Sequence, residues 1–285
     1  MWAIAAILFS QLGRDINART LNLGKGVIAT ICLLILFLPS DLPESSRTYF
    51  ISNEFWYLAL SGLLGITIGD TLYFLTLQRL GARLTLLIGT LIPVVTAISA
   101  IVLFDEQISV LAGTGLMMTI SGVGYVLWNK VGQSESSKLW ISGVLIGSFY
   151  ILAESGGILL TKLGLGAYDS IEATLIRQIW GVAGLTFWGL AAGSLLVDFK
   201  PVRRNRRLLT LFVAASFIGA FLGTWLSIFA LEMTYASVAV SLNSTSPLFV
   251  IPIAYWFLNE KISKNSVIGA IAAVLGVFLY FMSLS

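Results

Sequence analysis

The segment Gly-Ile-Thr-Ile-Gly-Asp at residues 65–70 recurs as Gly-Ala-Phe-Leu-Gly-Thr at residues 219–224, with both glycines in register. The same offset of 154 residues also aligns a proline and a four-residue turn: Pro93 with Pro247, and Glu-Gln-Ile-Ser (106–109) with Glu-Lys-Ile-Ser (260–263). Shared apolar composition alone does not readily place two glycines, a proline and a turn in one register. The sequence therefore contains an internal repeat.

The composition is that of a membrane protein. Of the 285 residues, 57% are hydrophobic and 11% are charged, whereas soluble domains carry about 25% charged residues. A soluble domain of this size could not cover its surface with so few charges. Backbone in lipid must satisfy its own hydrogen bonds, so the long apolar runs are predicted to be helices. Ten are predicted, at 2–18, 22–38, 55–77, 84–104, 110–128, 139–161, 170–197, 208–231, 236–258 and 265–284.

The two copies are predicted to lie in the membrane in opposite orientations, because each contains an odd number of helices. We place the first five-helix repeat at 1–130, a short linker at 131–138 and the second, inverted repeat at 139–285. The odd-numbered connections and adjacent helix ends carry 14 of the 17 Lys and Arg residues, against Arg47 and Lys162 in the even-numbered ones. The positive-inside rule then puts the odd connections in the cytoplasm and both termini outside.

Several functional classes are excluded by composition and motif. The chain has no histidine and one cysteine, Cys32, so metal sites built on His or Cys clusters and Ser-His or Cys-His catalysis are ruled out. The phosphate-binding loop of ATPases is absent from the sequence. The net charge of +3 is small and dispersed, which argues against nucleic-acid binding. We expect no cofactor, no metal and no catalytic residues, and no cleaved leader ahead of a first helix that is short at its outer end.

Motifs in both copies resemble the EamA repeats of the drug/metabolite transporter superfamily. They are Gly-Asp-Thr-Leu-Tyr-Phe (69–74), Leu-Ile-Pro-Val (91–94), Phe-Asp-Glu (104–106) and Gly…Ser-Gly-Val (115–123), then Gly-Thr-Trp-Leu-Ser (223–227), Ser-Thr-Ser-Pro-Leu-Phe (244–249) and Leu-Asn-Glu-Lys-Ile-Ser (258–263). The resemblance implies an all-α polytopic membrane protein with ten transmembrane helices, as two inverted five-helix repeats around a central cavity. It does not fix the substrate, because the family carries amino acids, sugars, sugar phosphates and drugs. Many members keep both termini in the cytoplasm; here we follow the charges.

Four charged residues of the predicted helices are candidates for a functional role. Asp70 and Glu154 are each about 15 residues into a helix, near the middle of the membrane, where an ionisable group costs roughly 2.5–3.5 kcal/mol. We expect both to face the cavity and either to carry a coupling proton; a structural salt bridge is the alternative. Tyr73 is predicted to share a helix face with Asp70, Gly62 and Gly69. By the family resemblance Arg177 is expected at the cavity with Gln178, and Lys25 at the matching depth; snorkelling to the membrane surface is the alternative for both cations.

The ninth predicted helix has a polar centre, with Asn243 and Ser246 as candidate substrate ligands, although such groups also join helices. Pro93, Pro247 and Pro252 are predicted to mark helix breaks that serve gating. The Gly-x-x-x-Gly pairs are interpreted as helix packing. Glu106 and Glu260 are predicted to cap the following helices.

We expect a secondary transporter, not driven by ATP, that exports small polar metabolites such as amino acids, sugars or drugs by alternating access. A lipid or lipid-precursor flippase of the same fold is the main alternative, and an intramembrane lipid-modifying enzyme is a remote one. The expected partners are a small-molecule substrate and the lipid bilayer, for a monomer or homodimer. The expected location is the bacterial inner membrane, as a multi-pass protein.

Overall fold

A computed structural model describes residues 1–37, 52–104, 109–130, 137–166, 168–193, 202, 204–233, 244–258 and 263–283, without the side chains of 100–104, 130, 137, 257 and 258. Its regular elements are all helices in these residues. We number them α1 Trp2–Leu12, α2 Ala18–Phe37, α3 Asn53–Gly89, α4 Ile92–Phe104, α5 Val110–Lys130, α6 Ser137–Gly164, α7 Ser170–Ala191, α8 Arg206–Met233, α9 Ser246–Leu258 and α10 Lys264–Met282.

Large apolar side chains cover the outside of the bundle. Trp128, Phe187 and Trp256 are more than 70% exposed, while threonines and other small residues fill much of the interior. Within the part of the chain that the structure describes, six helices are long and apolar enough to cross a membrane: α2, α3, α5, α6, α8 and α10. The chain is therefore an integral, multi-pass membrane protein. The predicted number of ten crossings stays a prediction, because the other helices are shorter or interrupted by charges.

The first helix ends earlier than predicted. It stops at Leu12, not at 18, because the polar residues after Gly13 start a turn. Asn17 in that turn caps α2 by accepting a hydrogen bond from the backbone N–H of Thr20 through its side chain, at 2.9 Å.

Both α3 and α8 contain a π-helical stretch, and the two stretches are equivalent in the repeat. They are Gly62–Asp70 and Ser216–Gly223, so the offset of 154 residues is reproduced in the backbone itself. In the first stretch, the side-chain amide of Asn22 donates to the carbonyl of Ile66 at 2.7 Å and to the hydroxyl of Thr71 at 2.9 Å. Short π-helical stretches inside α-helices occur frequently at functional sites.

The inverted relation between the copies is visible where α5 packs against α10, its equivalent in the repeat. A β-carbon at Gly115 would lie 2.5 Å from the backbone of Gly276 and Tyr280, and one at Gly122 would lie 2.6 Å from the backbone of Ala273. Midway between them, Thr119 donates to the carbonyl of Ala273, its own equivalent, at 3.2 Å. The two helices are therefore antiparallel, with a pseudo-twofold axis close to Thr119, as inverted copies require.

The prolines predicted as helix breaks differ in position. Pro93 and Pro247 are each the second residue of a helix, α4 and α9, where the missing N–H costs little. Pro252 lies inside α9. An additional break occurs within α3 at Gly81, whose φ of 77° suits glycine.

A serine caps the N-terminus of the helix that follows each repeated turn. Ser109 accepts from the backbone N–H of Ala112, and Ser263 accepts from that of Ser266. The acceptors are thus the serines of the repeated Glu-x-Ile-Ser turn. The glutamates that we predicted as caps, Glu106 and Glu260, lie outside the described residues.

Candidate functional site

A cavity of about 160 Å³ lies between the two copies. Six residues singled out in the sequence line it: Asp70, Tyr73, Glu154, Arg177, Gln178 and Ser246. They come from α3, α6, α7 and α9, so residues far apart in the chain meet at one place. Whether they bind substrate stays a prediction.

Glu154 and Arg177 rest on the glycines of α3. A β-carbon at Gly69 would lie 3.1 Å from Oε2 of Glu154, and one at Gly65 would lie 3.2 Å from Nη2 of Arg177. The first Gly-x-x-x-Gly pair therefore makes room for charged side chains as well as for the backbone of α6, which approaches Gly65 at Gly157. The sequence predicted only a helix-packing motif for this pair, and the contacts with two charged side chains add a second role.

Asp70 forms an ion pair with Lys25. The Nζ of Lys25 lies 2.6 Å from Oδ2 of Asp70, and the two side chains are 7% and 20% exposed. Lys25 also lies 5.2 Å from the centre of the Phe74 ring. Lys25 is absent from the cavity lining and is buried, so it neither snorkels nor offers a free charge. It acts on the cavity by neutralising Asp70.

Arg177 and Gln178 are both buried, and each keeps unused hydrogen-bonding capacity. The Nε of Arg177 and the Oε1 of Gln178 have no hydrogen-bond partner in the described residues. The side-chain amide of Gln178 is directed toward the carbonyl of Ala220 at 3.4 Å. Buried polar groups without partners cost free energy, and here they lie beside a cavity where a solute could satisfy them.

Aromatic side chains form part of the wall. The rings of Tyr73 and Tyr150 lie 5.4 Å apart between centres. Elsewhere in the wall, the indole N–H of Trp2 in the first copy donates to the hydroxyl of Ser227 in the second copy at 3.2 Å. Together with nearby isoleucines and leucines, these rings give the cavity an apolar lining around a few polar groups, the composition typical of small-molecule sites.

The repeat makes the cavity asymmetric in charge. Thr224 and Ser227 occupy the repeat positions of Asp70 and Tyr73, and both line the cavity. Trp2 packs beside Gly223 as Glu154 packs beside Gly69. The ionisable groups of the lining thus belong to α3, α6 and α7, and the facing wall from α1 and α8 is neutral.

Sequence reasoning missed several lining residues, including Trp2, Tyr150, Thr224 and Ser227. The repeat offset alone would have found Thr224 and Ser227. Gly65 was missed because the prediction assumed an ordinary α-helix, whereas the π stretch turns Gly65 rather than Gly62 toward the cavity. Asn243, the remaining candidate, lies outside the described residues.

Comparison with known proteins agrees with this architecture. The sequence profile of the EamA-like transporter family matches residues 1–128 and 135–282, one match for each copy. The chain belongs to the EamA-like transporter family. The predicted resemblance to EamA repeats of the drug/metabolite transporter superfamily is confirmed, and membership of this family indicates a membrane transporter.

Two individual proteins are similar to this EamA-like chain over nearly its whole length. An uncharacterized transporter of Archaeoglobus fulgidus is 25% identical over 283 residues, which are 99% of this chain and 94% of that protein. A crystal structure covering 99% of this chain and 92% of its own gives a TM-score of 0.66 at 15% identity. At that identity the second likeness shows a shared fold alone.

Proposed function

We propose that this EamA-like protein is a secondary carrier that exports small polar solutes through the cavity between its two copies. One observation carries the proposal: a cavity with charged and hydroxyl side chains lies inside a bundle whose outside is apolar. Such groups are expensive in a membrane and mark solute pathways. We place the carrier in the plasma membrane, as expected from the sequence.

Alternating access is supported by the inverted copies. The cavity is bounded by both, and the glycine-rich contact between α5 and α10 lies on a pseudo-twofold axis. In carriers built from inverted repeats, one half rocks against the other around a fixed site at the interface. We therefore infer that the charged side chains stay at the centre while access changes from one side of the membrane to the other.

The first test is a melting experiment in detergent. The purified protein is heated with amino acids, sugars, phosphorylated metabolites, cationic drugs and lipids in turn. A ligand at 100 times its dissociation constant stabilises the folded state by about 2.7 kcal/mol, which raises the melting temperature measurably. A water-soluble class should shift the wild type and not Arg177→Gln.

The control is Gly124→Ala, because a β-carbon at Gly124 meets nothing within 4 Å. This variant should respond as the wild type does. If lipids shift the melting temperature and no water-soluble solute does, metabolite export is wrong and a flippase of the same fold takes its place.

A further inference from the structure

The charges around the cavity are not all equally available to a solute. Lys25 and Asp70 are joined at 2.6 Å and neutralise each other. Arg177 and Glu154 are not within 4.0 Å of an opposite charge among the described residues, and Nε of Arg177 has no partner. The cavity therefore offers one unpaired cation and one unpaired anion.

These two unpaired groups are close neighbours. Measured from the place where Gly65 would carry a β-carbon, Nη2 of Arg177 lies at 3.2 Å and Oε2 of Glu154 at 3.9 Å. The two atoms are thus at most about 7 Å apart, and they are more than 4.0 Å apart because they form no ion pair. A carboxylate and an ammonium attached to one carbon can bridge this gap, with a charge-assisted hydrogen bond of about 2.8 Å at each end.

We propose that the transported solute is a zwitterion, with its carboxylate on Arg177 and its ammonium on Glu154. This inference rests on the proposed function and names its substrate class. The remaining wall suits an apolar body on the solute, since Ile66, Ile158 and Ile228 line the cavity beside the two tyrosines. A sugar phosphate fits poorly, because the unpaired carboxylate of Glu154 repels added negative charge. A neutral sugar would leave both charges unpaired.

The test measures binding of leucine and phenylalanine against analogues that lack one charge. Leucinamide and phenylalaninamide lack the carboxylate; 4-methylpentanoate and 3-phenylpropanoate lack the ammonium. At least one of the two amino acids should bind the wild type at least tenfold more tightly than either of its analogues. Hydrogen bonds to charged groups contribute about 1.5–3 kcal/mol, and 1.4 kcal/mol is tenfold.

Two variants, each of which removes one charge, assign the two ends separately. In Glu154→Gln, the amino acid should bind no better than its acid analogue, while its preference over the amide is retained. In Arg177→Gln, the amino acid should bind no better than its amide, while its preference over the acid is retained. Arg177→Lys should restore part of the preference over the amide, and Gly124→Ala should match the wild type. Melting curves without ligand confirm that each variant is folded.

The possible outcomes distinguish failure of the zwitterion assignment from failure of the proposed carrier function. If sugars, phosphates or cationic drugs bind and neither amino acid does, the zwitterion assignment is wrong and the carrier stands. The assignment is also wrong if the analogues bind as tightly as the parent amino acids. If no water-soluble solute binds the folded protein or crosses a vesicle membrane with it, the proposed function fails as well.

Discussion

Two pairs of charges with different tasks distinguish this site at the residue scale. The pair Lys25–Asp70 is closed, with its atoms at 2.6 Å, whereas Arg177 and Glu154 are held apart on the glycines of α3. The closed pair allows a second carboxylate, Glu154, to lie nearby without a net excess of negative charge. The open pair keeps two charges ready for a solute.

Removing one partner of the closed pair should destabilise the protein. Lys25→Met or Asp70→Asn alone leaves the other group buried without its partner, which costs about 3–5 kcal/mol. The double variant should cost less than the sum of the two single variants. Reversible unfolding in detergent micelles, analysed as a double-mutant cycle, measures this. Additive effects would contradict the ion pair.

A methyl group at Gly69 should weaken solute binding without unfolding the protein. Its β-carbon would lie 3.1 Å from Oε2 of Glu154, so the carboxylate must move by a few tenths of an ångström. We expect Gly69→Ala to bind the solute roughly tenfold more weakly, or about 1.4 kcal/mol, with little change in melting temperature. The matched control is Gly124→Ala; equal affinities in the two variants would show that the position of Glu154 is unimportant.

The residues found from the sequence share a property: an ionisable group within an apolar helix is conspicuous because lipid makes it costly. Asp70 and Glu154 were found in this way, and Arg177 was found by the family resemblance; all three lie at the cavity. Trp2 and Tyr150 were not, because an aromatic residue in a membrane helix is ordinary. A salt bridge at Asp70 was the stated alternative, but its partner Lys25 was not predicted, since the pairing depends on how α2 meets α3.

Irregular backbone positions the site at the element scale. The π stretch Gly62–Asp70 brings Gly65 and Asp70 to the cavity side of α3, and Asn22 holds the carbonyl of Ile66. Its repeat equivalent is Ser216–Gly223 in α8. Sequence periodicity predicts that a helix is present but does not reveal a local change in its winding. The repeat was therefore predictable and the π geometry was not.

The contact between α5 and α10 should be intolerant of side chains. A β-carbon at Gly115 would lie 2.5 Å from the carbonyl oxygen of Gly276, which is backbone and cannot rotate away. Overpacking typically costs about 1–3 kcal/mol, so Gly115→Ala should melt at a distinctly lower temperature than the wild type. Gly124→Ala, on the same helix with open space around it, should not. Equal melting temperatures would contradict the close approach.

At the scale of the whole molecule, inversion links the fold to the charges. The antiparallel packing of α5 and α10 agrees with the opposite charge bias of equivalent connections. The count of cations in the odd connections falls by one. Lys25 was included among those 14 residues, but it is buried in an ion pair. The bias toward the odd connections remains without it. These charges predict that both termini lie on the outer side of the membrane.

Labelling of introduced cysteines tests that sidedness. In a Cys32→Ser background, Asp15→Cys lies in the first connection and Gly166→Cys in the sixth; both positions are exposed or open. A maleimide that cannot cross membranes should label Gly166→Cys in intact cells and label Asp15→Cys only after lysis. The opposite pattern would show that both termini are cytoplasmic.

The central claim is that the cavity between the inverted copies carries a solute across the membrane. Solute exchange in reconstituted vesicles tests it most directly, with the solute class that raises the melting temperature. The wild type and Gly124→Ala should accelerate exchange, and Arg177→Gln should lose most of it while remaining folded. The same vesicles test proton coupling, because a rate independent of an imposed pH gradient contradicts it. Exchange by Arg177→Gln at the wild-type rate would contradict the account, because transport would then not depend on this cavity's unpaired cation.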